Sequence, residues 1–354
     1  MSVDPLAGTV VATEELEPGL LVPGADRGVL FSYRSAGSAG EPRVATASFQ
    51  APVRAGQERP VVVFCHGTTG VGEQCSVSRG VGPAIGEFLA PWIALGFALV
   101  VVDYAGLGSE GPHAYLNHFG TGRQVVDSVR AVHRLAPDLG VRLDDRWMVF
   151  GGSQGGHAAL SASLVSTRAP GLELIGTVAL CPPTDLGPQF YLAGPWVPWL
   201  PVKDLVAYFG YILHGFESAD PGVREELDRV LTQRGRDLVD SSPWYHYAEL
   251  VERTRSWSVG SLLRRPLGKS VVRRLREHSR LPSAVAHLAP VLVGQGRLDP
   301  VVPWPLTGRY VRDSRAAGSD IRMRSYWTGH GVHAAARPDA LRFASERLRQ
   351  SRST

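Results

Sequence analysis

The apolar positions of this chain fall into short continuous blocks separated by amphipathic stretches. The blocks "RPVVVFCHG" (59–67), "FALVVVDYAGLG" (97–108), "RWMVFGG" (146–152), "LIGTVALCPP" (174–183) and "APVLVGQGRLDP" (289–300) each predict a buried strand. A run that is apolar at nearly every position has no face for water, as in a sheet covered on both sides. "VLFSYRS" (29–35) and "RVATASFQAP" (43–52) predict two earlier strands, and "DIRMRSYW" (320–327) a last one. Helical spacing fills the intervals at 83–95, at 123–136, where Val125, Val126, Val129 and Val132 share a face, after Ser153, and at 304–318 and 337–350. Strands alternating with helices give an α/β fold whose mostly parallel sheet carries helices on both faces. In such sheets ligands gather at the carboxyl ends of the strands.

The alternation stops between 186 and 285. About 100 residues without a buried strand are too many for a loop, so the chain divides into a core (1–185), an inserted, mainly helical cap (186–285) and the rest of the core (286–354). The segment 190–216 concentrates aromatics and prolines. Trp196, Trp199, Tyr208, Phe209 and Tyr211 are its candidates for an apolar substrate pocket, the alternative being that they form the cap's own core. Further on, 253–280 carries nine Lys or Arg and one acidic residue. Within it, 262–280 reads either as a solvated helix face or as a dock for an anionic carrier or a membrane surface.

Composition narrows the function classes. With 354 residues, 44% hydrophobic, 20% charged and a net charge of +4, the chain describes an ordinary globular protein with no nucleic-acid motif. Its longest apolar run, near 92–102, is too short to span a bilayer. The opening "MSVDPLAGTVVATEELEPG" has neither the basic start nor the apolar centre of a signal peptide, and three cysteines make an odd count. Cytoplasmic residence with free thiols is the expectation. The tail "RQSRST" (349–354) is expected to fray, and the sequence is silent on oligomeric state.

The chemistry gathers at "MVFGGSQGGHAAL" (148–160), where a strand runs through Gly151-Gly152-Ser153-Gln154-Gly155 into a helix. This Gly-x-Ser-x-Gly pattern, in that context, predicts a nucleophile elbow, a strained turn that lifts Ser153 Oγ above the sheet edge. Small neighbours are required because the turn brings main chain too close for a Cβ. A plain structural turn is the alternative. A serine hydroxyl needs a base, and in this fold the chain order is serine, acid, histidine. Asp299, at the end of "GQGRLDP", is the candidate acid, with Asp185 in reserve. His330 in "TGHG" is the candidate base, with His333 as its rival. Gln154 N–H and Thr68 N–H, in "HGTTG", are the candidate oxyanion donors. His157 reads as support on the helix, and His113 and His118 as satisfied or solvated. No ligand-spaced cluster suggests a metal, and the glycines of "GLGSEG" (106–111) do not open a helix as a dinucleotide fingerprint would, so no cofactor is expected.

Taken together, "YRSAGSAGEPR", "CHGTTGVGEQCSVSR", "VVDYAGLGSEGPHAYL", "GGSQGGHAALSA", "VALCPPTDL", "GQGRLDPVVP" and "TGHG" resemble the secretory lipase family of α/β-hydrolases, in its bacterial branch. The resemblance implies an eight-stranded α/β-hydrolase sheet with a lid, and hydrolysis of carboxylic esters, often of lipids. It assigns Ser153 as nucleophile, Asp299 as acid, His330 as base, and Thr68 and Gln154 as the oxyanion hole. Gly152 departs from it, since the family typically has a histidine there. The expected substrate is a small ester or lipid-like molecule. An acyltransferase or cyclase using the same acyl-enzyme, and a non-catalytic binding module, are the rival readings.

Overall fold

In the computed structural model, which describes residues 4–54 and 56–351, the blocks apolar at every position become the interior of one sheet. Its strands are β1 (Val10–Glu15), β2 (Arg27–Ala36), β3 (Pro42–Ala51), β4 (Glu58–Cys65), β5 (Ala98–Val102), β6 (Arg142–Gly152), β7 (Glu173–Leu180), β8 (Val291–Gly296) and β9 (Ile321–Tyr326). They lie in the order β1-β2-β3-β5-β4-β6-β7-β8-β9. The first four in that order pair antiparallel, and everything from β5 to β9 is parallel.

Eight of these strands are those the pattern predicts, and the ninth, β1, is additional. Its residues are almost all exposed and it pairs only with β2 at the sheet edge, so it needs no apolar face and leaves no hydrophobic signature. Of the tail expected to fray, Arg349 and Gln350 complete the last helix, and 352–354 lie outside the described residues.

The helices follow in chain order. They are α1 (Gly82–Ala94), α2 (His118–Leu135), α3 (Gln154–Leu164), α4 (Gly187–Leu192), α5 (Leu205–Ala219), α6 (Arg224–Val230), α7 (Gln233–Ser241), α8 (Tyr247–Thr254), α9 (Lys269–Ser279), α10 (Trp304–Ala316) and α11 (His333–Gln350). Alternation along the strands splits the core by face. Val61, Val63, Val100 and Trp147 pack under α2 and α3, while Val62, Phe64, Val101 and Phe150 pack under α1 and α11. Helix α2 starts five residues before the predicted 123, because the Asn117 side chain caps it by accepting from Gly120 N–H at 2.8 Å. Helix α11 likewise starts ahead of Pro338, a residue that favours a first turn but here sits inside the helix.

Between β7 and β8 the chain forms α4–α9 and no strand of the sheet. These helices share an apolar cluster of their own, with Phe209, Leu213, Leu227, Leu262 and Leu275 buried in it. The basic stretch lies largely in α9, and much of its charge is neutralised within the fold. Arg274 pairs with Asp220 and Glu226, and Arg276 and Arg280 pair with Asp185.

Histidines clamp the end of α9 to the sheet side. His278 donates from Nε2 to the Tyr115 carbonyl at 2.9 Å and faces the Asn117 amide with Nδ1 at 3.2 Å. His118 Nδ1 lies 3.1 Å from the His278 carbonyl, and His157 Nε2 2.8 Å from that of Ser279. Burial pushes His157 down to about 3 and His278 to about 4, so both are neutral in the fold. Once unfolded they regain the ordinary value near 6.5 and take up protons that the folded chain does not bind. Stability is therefore full above that value and falls as pH drops below it, by about 1 kcal/mol per pH unit for each such histidine. Denaturant unfolding at about pH 7 and about pH 5 checks this; a midpoint that does not fall at the lower pH contradicts it.

Candidate active site

Strand β6 ends at Gly152 and α3 begins at Gln154, so Ser153 alone turns the chain from one to the other. It does so at φ 55° and ψ −119°. For a residue with a Cβ, such backbone costs about 1–3 kcal/mol and persists only where the surroundings impose it. They do. Ser153 N–H donates to the Leu180 carbonyl at 2.8 Å, and the Ser153 carbonyl accepts from His157 N–H at 3.0 Å, the first turn of α3. A Cβ on Gly151 or Gly155 would overlap the Cys65 carbonyl, and one on Gly156 would come within 2.7 Å of the Leu180 carbonyl. Main chain from three strands converges here, which is why the serine stands among glycines.

His330 and Asp299 come to this turn from the far side of the sheet. Asp299 follows β8 and His330 follows β9, the strands next in line from β7. Asp299 Oδ1 accepts from the N–H groups of Val301 and Val302, both at 2.9 Å. Its Oδ2 accepts from His330 Nδ1 at 2.8 Å and from Gln295 Nε2 at 3.2 Å. Burial alone would raise the Asp299 carboxyl, but the hydrogen bond and charge of His330 and the two backbone N–H groups hold it below the usual carboxylate range. A carboxylate at Nδ1 fixes the imidazole proton on that nitrogen. Nε2 is left to accept from Ser153 Oγ at 2.9 Å. The arrangement can take a proton from the hydroxyl without moving a heavy atom.

The loop carrying Thr68 is anchored by a carboxylate that the sequence reading passes over. Asp103, fully buried after β5, accepts from Thr46 Oγ1 at 2.9 Å, Ser76 Oγ at 2.8 Å and the Ser78 hydroxyl. It also accepts from the N–H groups of Val77 at 2.8 Å and Ser78 at 3.1 Å. His66 packs 3.7 Å from the same carboxylate and opens the "HGTTG" segment. Thr68 follows, its hydroxyl 2.6 Å from Tyr115 Oη. Gln154 heads α3, with its side chain on His113 Nε2 at 3.0 Å.

Ser153 opens into a cavity of about 290 Å³ between the sheet edge and α4 and α5, lined almost wholly by apolar groups. On α5 its walls are Leu205, Tyr208, Phe209 and Ile212, one face at helical spacing. Pro300–Pro303, next to Asp299, close the other side. Of the expected pocket aromatics, Tyr208 and Phe209 line this cavity. Trp196 and Trp199 do not; they lie exposed on the connection between α4 and α5, where Trp199 Nε1 donates to the Arg255 carbonyl at 3.0 Å. Tyr211 also stays outside, turned into the helical core with its hydroxyl on the Tyr245 carbonyl at 3.2 Å. Aromatic composition alone could not separate these faces; the helical spacing of 205, 208, 209 and 212 could.

Comparison with known proteins fits this geometry. The family model described as secretory lipase matches residues 86–354, well over half of the chain. The chain belongs to the secretory lipase family. The first stretches that carry the resemblance, including "CHGTTG", precede the matched span. No curated protein matches the sequence. Among solved structures, the rice cell wall degrading esterase LipA from Xanthomonas oryzae is 17% identical, with a TM-score of 0.79 over 98% of this chain and 100% of that one. Candida antarctica lipase A is 16% identical, with a TM-score of 0.72 over 92% of this chain and 78% of that one. A putative hydrolase from Legionella pneumophila is 15% identical, with a TM-score of 0.77 over 96% and 97%. At these identities the likeness shows the α/β-hydrolase fold.

Family membership makes the protein a serine ester hydrolase. It also corrects the expectation of cytoplasmic residence, because a secretory lipase is an extracellular protein. The odd thiol count does not argue otherwise. Cys65, Cys75 and Cys181 are all buried, so none is offered to an oxidising medium.

The remaining candidates of this secretory lipase fall away from the serine. Asp185 is taken by Arg276 at 2.6 Å, and His157 by α9. His333 packs against Gly152, and it is His330 that hydrogen-bonds Ser153 Oγ. The residues the sequence reading missed are Asp103, Gln295 and Cys181. Gln295 holds Asp299 and receives Thr307 Oγ1 at 3.0 Å. Cys181 follows β7 at φ 44°, with its Sγ within 4.8 Å of both the Asp299 and the His330 ligating atoms. Among the described residues these three donors form the one group of metal-binding type, but Asp299 and His330 already face each other. The "GQG" before Asp299 was the available signal for Gln295; nothing local marked the other two.

Replacing Asp103 by alanine leaves buried hydroxyls and two buried N–H groups without their acceptor, and should lower stability by about 3 kcal/mol or more. Chemical denaturation of Asp103→Ala checks it; an unchanged midpoint contradicts the anchoring role.

Proposed function

We propose that Ser153, His330 and Asp299 carry out the ester hydrolysis, and that residues 186–285 act as a cap over them, admitting an apolar acyl group. The observation that carries the reading is that Ser153, the one serine in strained backbone among the described residues, shares a hydrogen-bonded line with His330 and Asp299 and forms part of the wall of an apolar cavity.

In this scheme Ser153 Oγ attacks the ester carbonyl carbon as its proton passes to His330 Nε2. Asp299 stays ionised and holds the imidazolium through Nδ1. Negative charge moves to the carbonyl oxygen, where the N–H groups of Gln154 and Thr68 stabilise it. The C–O bond to the alcohol then breaks, His330 returns the proton to the departing oxygen, and an acyl-serine remains. Water repeats the sequence, its proton going to His330 as its oxygen bonds the acyl carbon. The acyl C–Oγ bond then breaks as His330 gives that proton to Ser153 Oγ, which releases the acid and restores the serine.

The acyl group occupies the cavity walled by Tyr208, Phe209 and Ile212, where transfer from water is favourable. At roughly 30 Å³ for a group the size of a water molecule, a space of about 290 Å³ takes a medium-length chain or a ring-bearing acyl group. An ester or lipid-like molecule of that kind is the substrate class.

Ser153→Ala is expected to lower kcat by about ten-thousandfold with the fold intact, and Asp299→Asn by a similar factor; parent-like turnover by folded Ser153→Ala contradicts the scheme. With p-nitrophenyl esters, kcat/KM should rise with acyl length and then fall beyond about ten carbons, as the cavity fills. A rate independent of chain length contradicts the placing of the acyl group.

A further inference from the structure

The glycines around Ser153 are not alike. A Cβ on Gly151 or Gly155 would overlap main chain, which cannot retreat. Gly152 has no such obstruction. The three atoms nearest to a Cβ built there all belong to the imidazole of His333, with Nε2 overlapped, Cδ2 at 2.7 Å and Cε1 at 3.1 Å. Nor does Gly152 have the positive φ that would call for glycine. The turn itself therefore tolerates a side chain at this position, and the absent Cβ leaves room for the ring.

His333 is well placed for that room to matter. It opens α11 three residues after His330, and the link between them is tight. Val332 is fully buried and its N–H donates to the His330 carbonyl at 2.9 Å. The ring of Phe88, from α1, stands edge-on to the imidazole with centroids 6.4 Å apart. The ring thus ties the neighbour of Ser153 to the turn that carries His330, the two sides of the 2.9 Å Ser153–His330 hydrogen bond. Burial and then the nearby charge of His330 lower the His333 pKa.

We propose that His333 is a positioning residue for this hydrolase: its imidazole, seated against Gly152, sets the distance and direction between Ser153 Oγ and His330 Nε2. It touches neither the substrate nor the reacting atoms. The inference rests on the assignment of Ser153 and His330 above. The two fail differently: an active Ser153→Ala or His330→Ala removes that assignment, whereas parent-like kinetics in His333 variants remove only this one.

The test is a kinetic cycle on a p-nitrophenyl ester with the full chain. His333→Ala should lower kcat by about tenfold to a hundredfold with KM nearly unchanged, as expected of a misaligned reacting pair. His333→Phe, which refills the space with a ring, should recover most of the loss. Gly152→Ala, which displaces the ring, should cost a similar factor. Gly152→Ala/His333→Ala should cost no more than the larger single loss, since both changes remove one contact. Melting temperatures of the His333 variants, which only truncate or replace a side chain, establish folding independently of Gly152→Ala. Three results would overturn the proposal. They are a parent-like kcat in folded His333→Ala, multiplying losses in the double variant, and a loss in His333→Ala as complete as that in His330→Ala, which would make His333 the base.

Discussion

Everything at the candidate active site depends on one backbone constraint, the forcing of Ser153 into φ 55° between a strand and a helix. An isolated chain would not adopt it. The sheet imposes it by pinning Ser153 N–H to Leu180 on one side and by starting α3 at Gln154 on the other. Glycines at 151 and 155 let the Cys65 carbonyl approach. The strain places Oγ off the sheet edge, where groups from other strands can reach it, and ties catalytic geometry to the integrity of the parallel strands β4, β6 and β7.

Around this turn the protein uses buried polar groups as fixed supports. Asp299 is held by two backbone N–H groups, Gln295 and His330, and the Asp103 carboxylate gathers the hydroxyls and N–H groups of the segment after "HGTTG". Such groups are costly when unpaired and rigid when satisfied. The apolar cavity above them has the opposite character. Its walls come mostly from the segment between β7 and β8, whose helices pack on one another in a cluster separate from the sheet's two faces. In the proposed scheme the chemistry sits on the stiff layer and acyl recognition on the helical one.

How much of this was legible in the sequence follows from how each feature is encoded. Interior strands were, because burial on both faces writes an uninterrupted apolar run. Strand β1 was not, because an exposed edge strand needs no apolar face. Ser153, Asp299 and His330 were legible through motif and chain order, and the structure brings them within hydrogen-bonding distance. Asp103, Gln295 and Cys181 were hidden because their partners are remote in sequence, such as Thr46 for Asp103. Trp196 and Trp199 misled because aromatic content reports burial on average, whereas these rings sit on an exposed connection. Location was misread from the opening residues and the count of thiols, and membership of a secretory family corrects it.

The central claim is that the strained hydroxyl of Ser153 becomes the acyl carrier. The most direct measurement is mass spectrometry of the protein after reaction with a fluorophosphonate, followed by peptide mapping. The account predicts one phosphonyl group per chain on Ser153, slowed severalfold or more in Asp299→Asn. A modified residue elsewhere, or labelling of Ser153 at the same rate when Asp299 is removed, would contradict it.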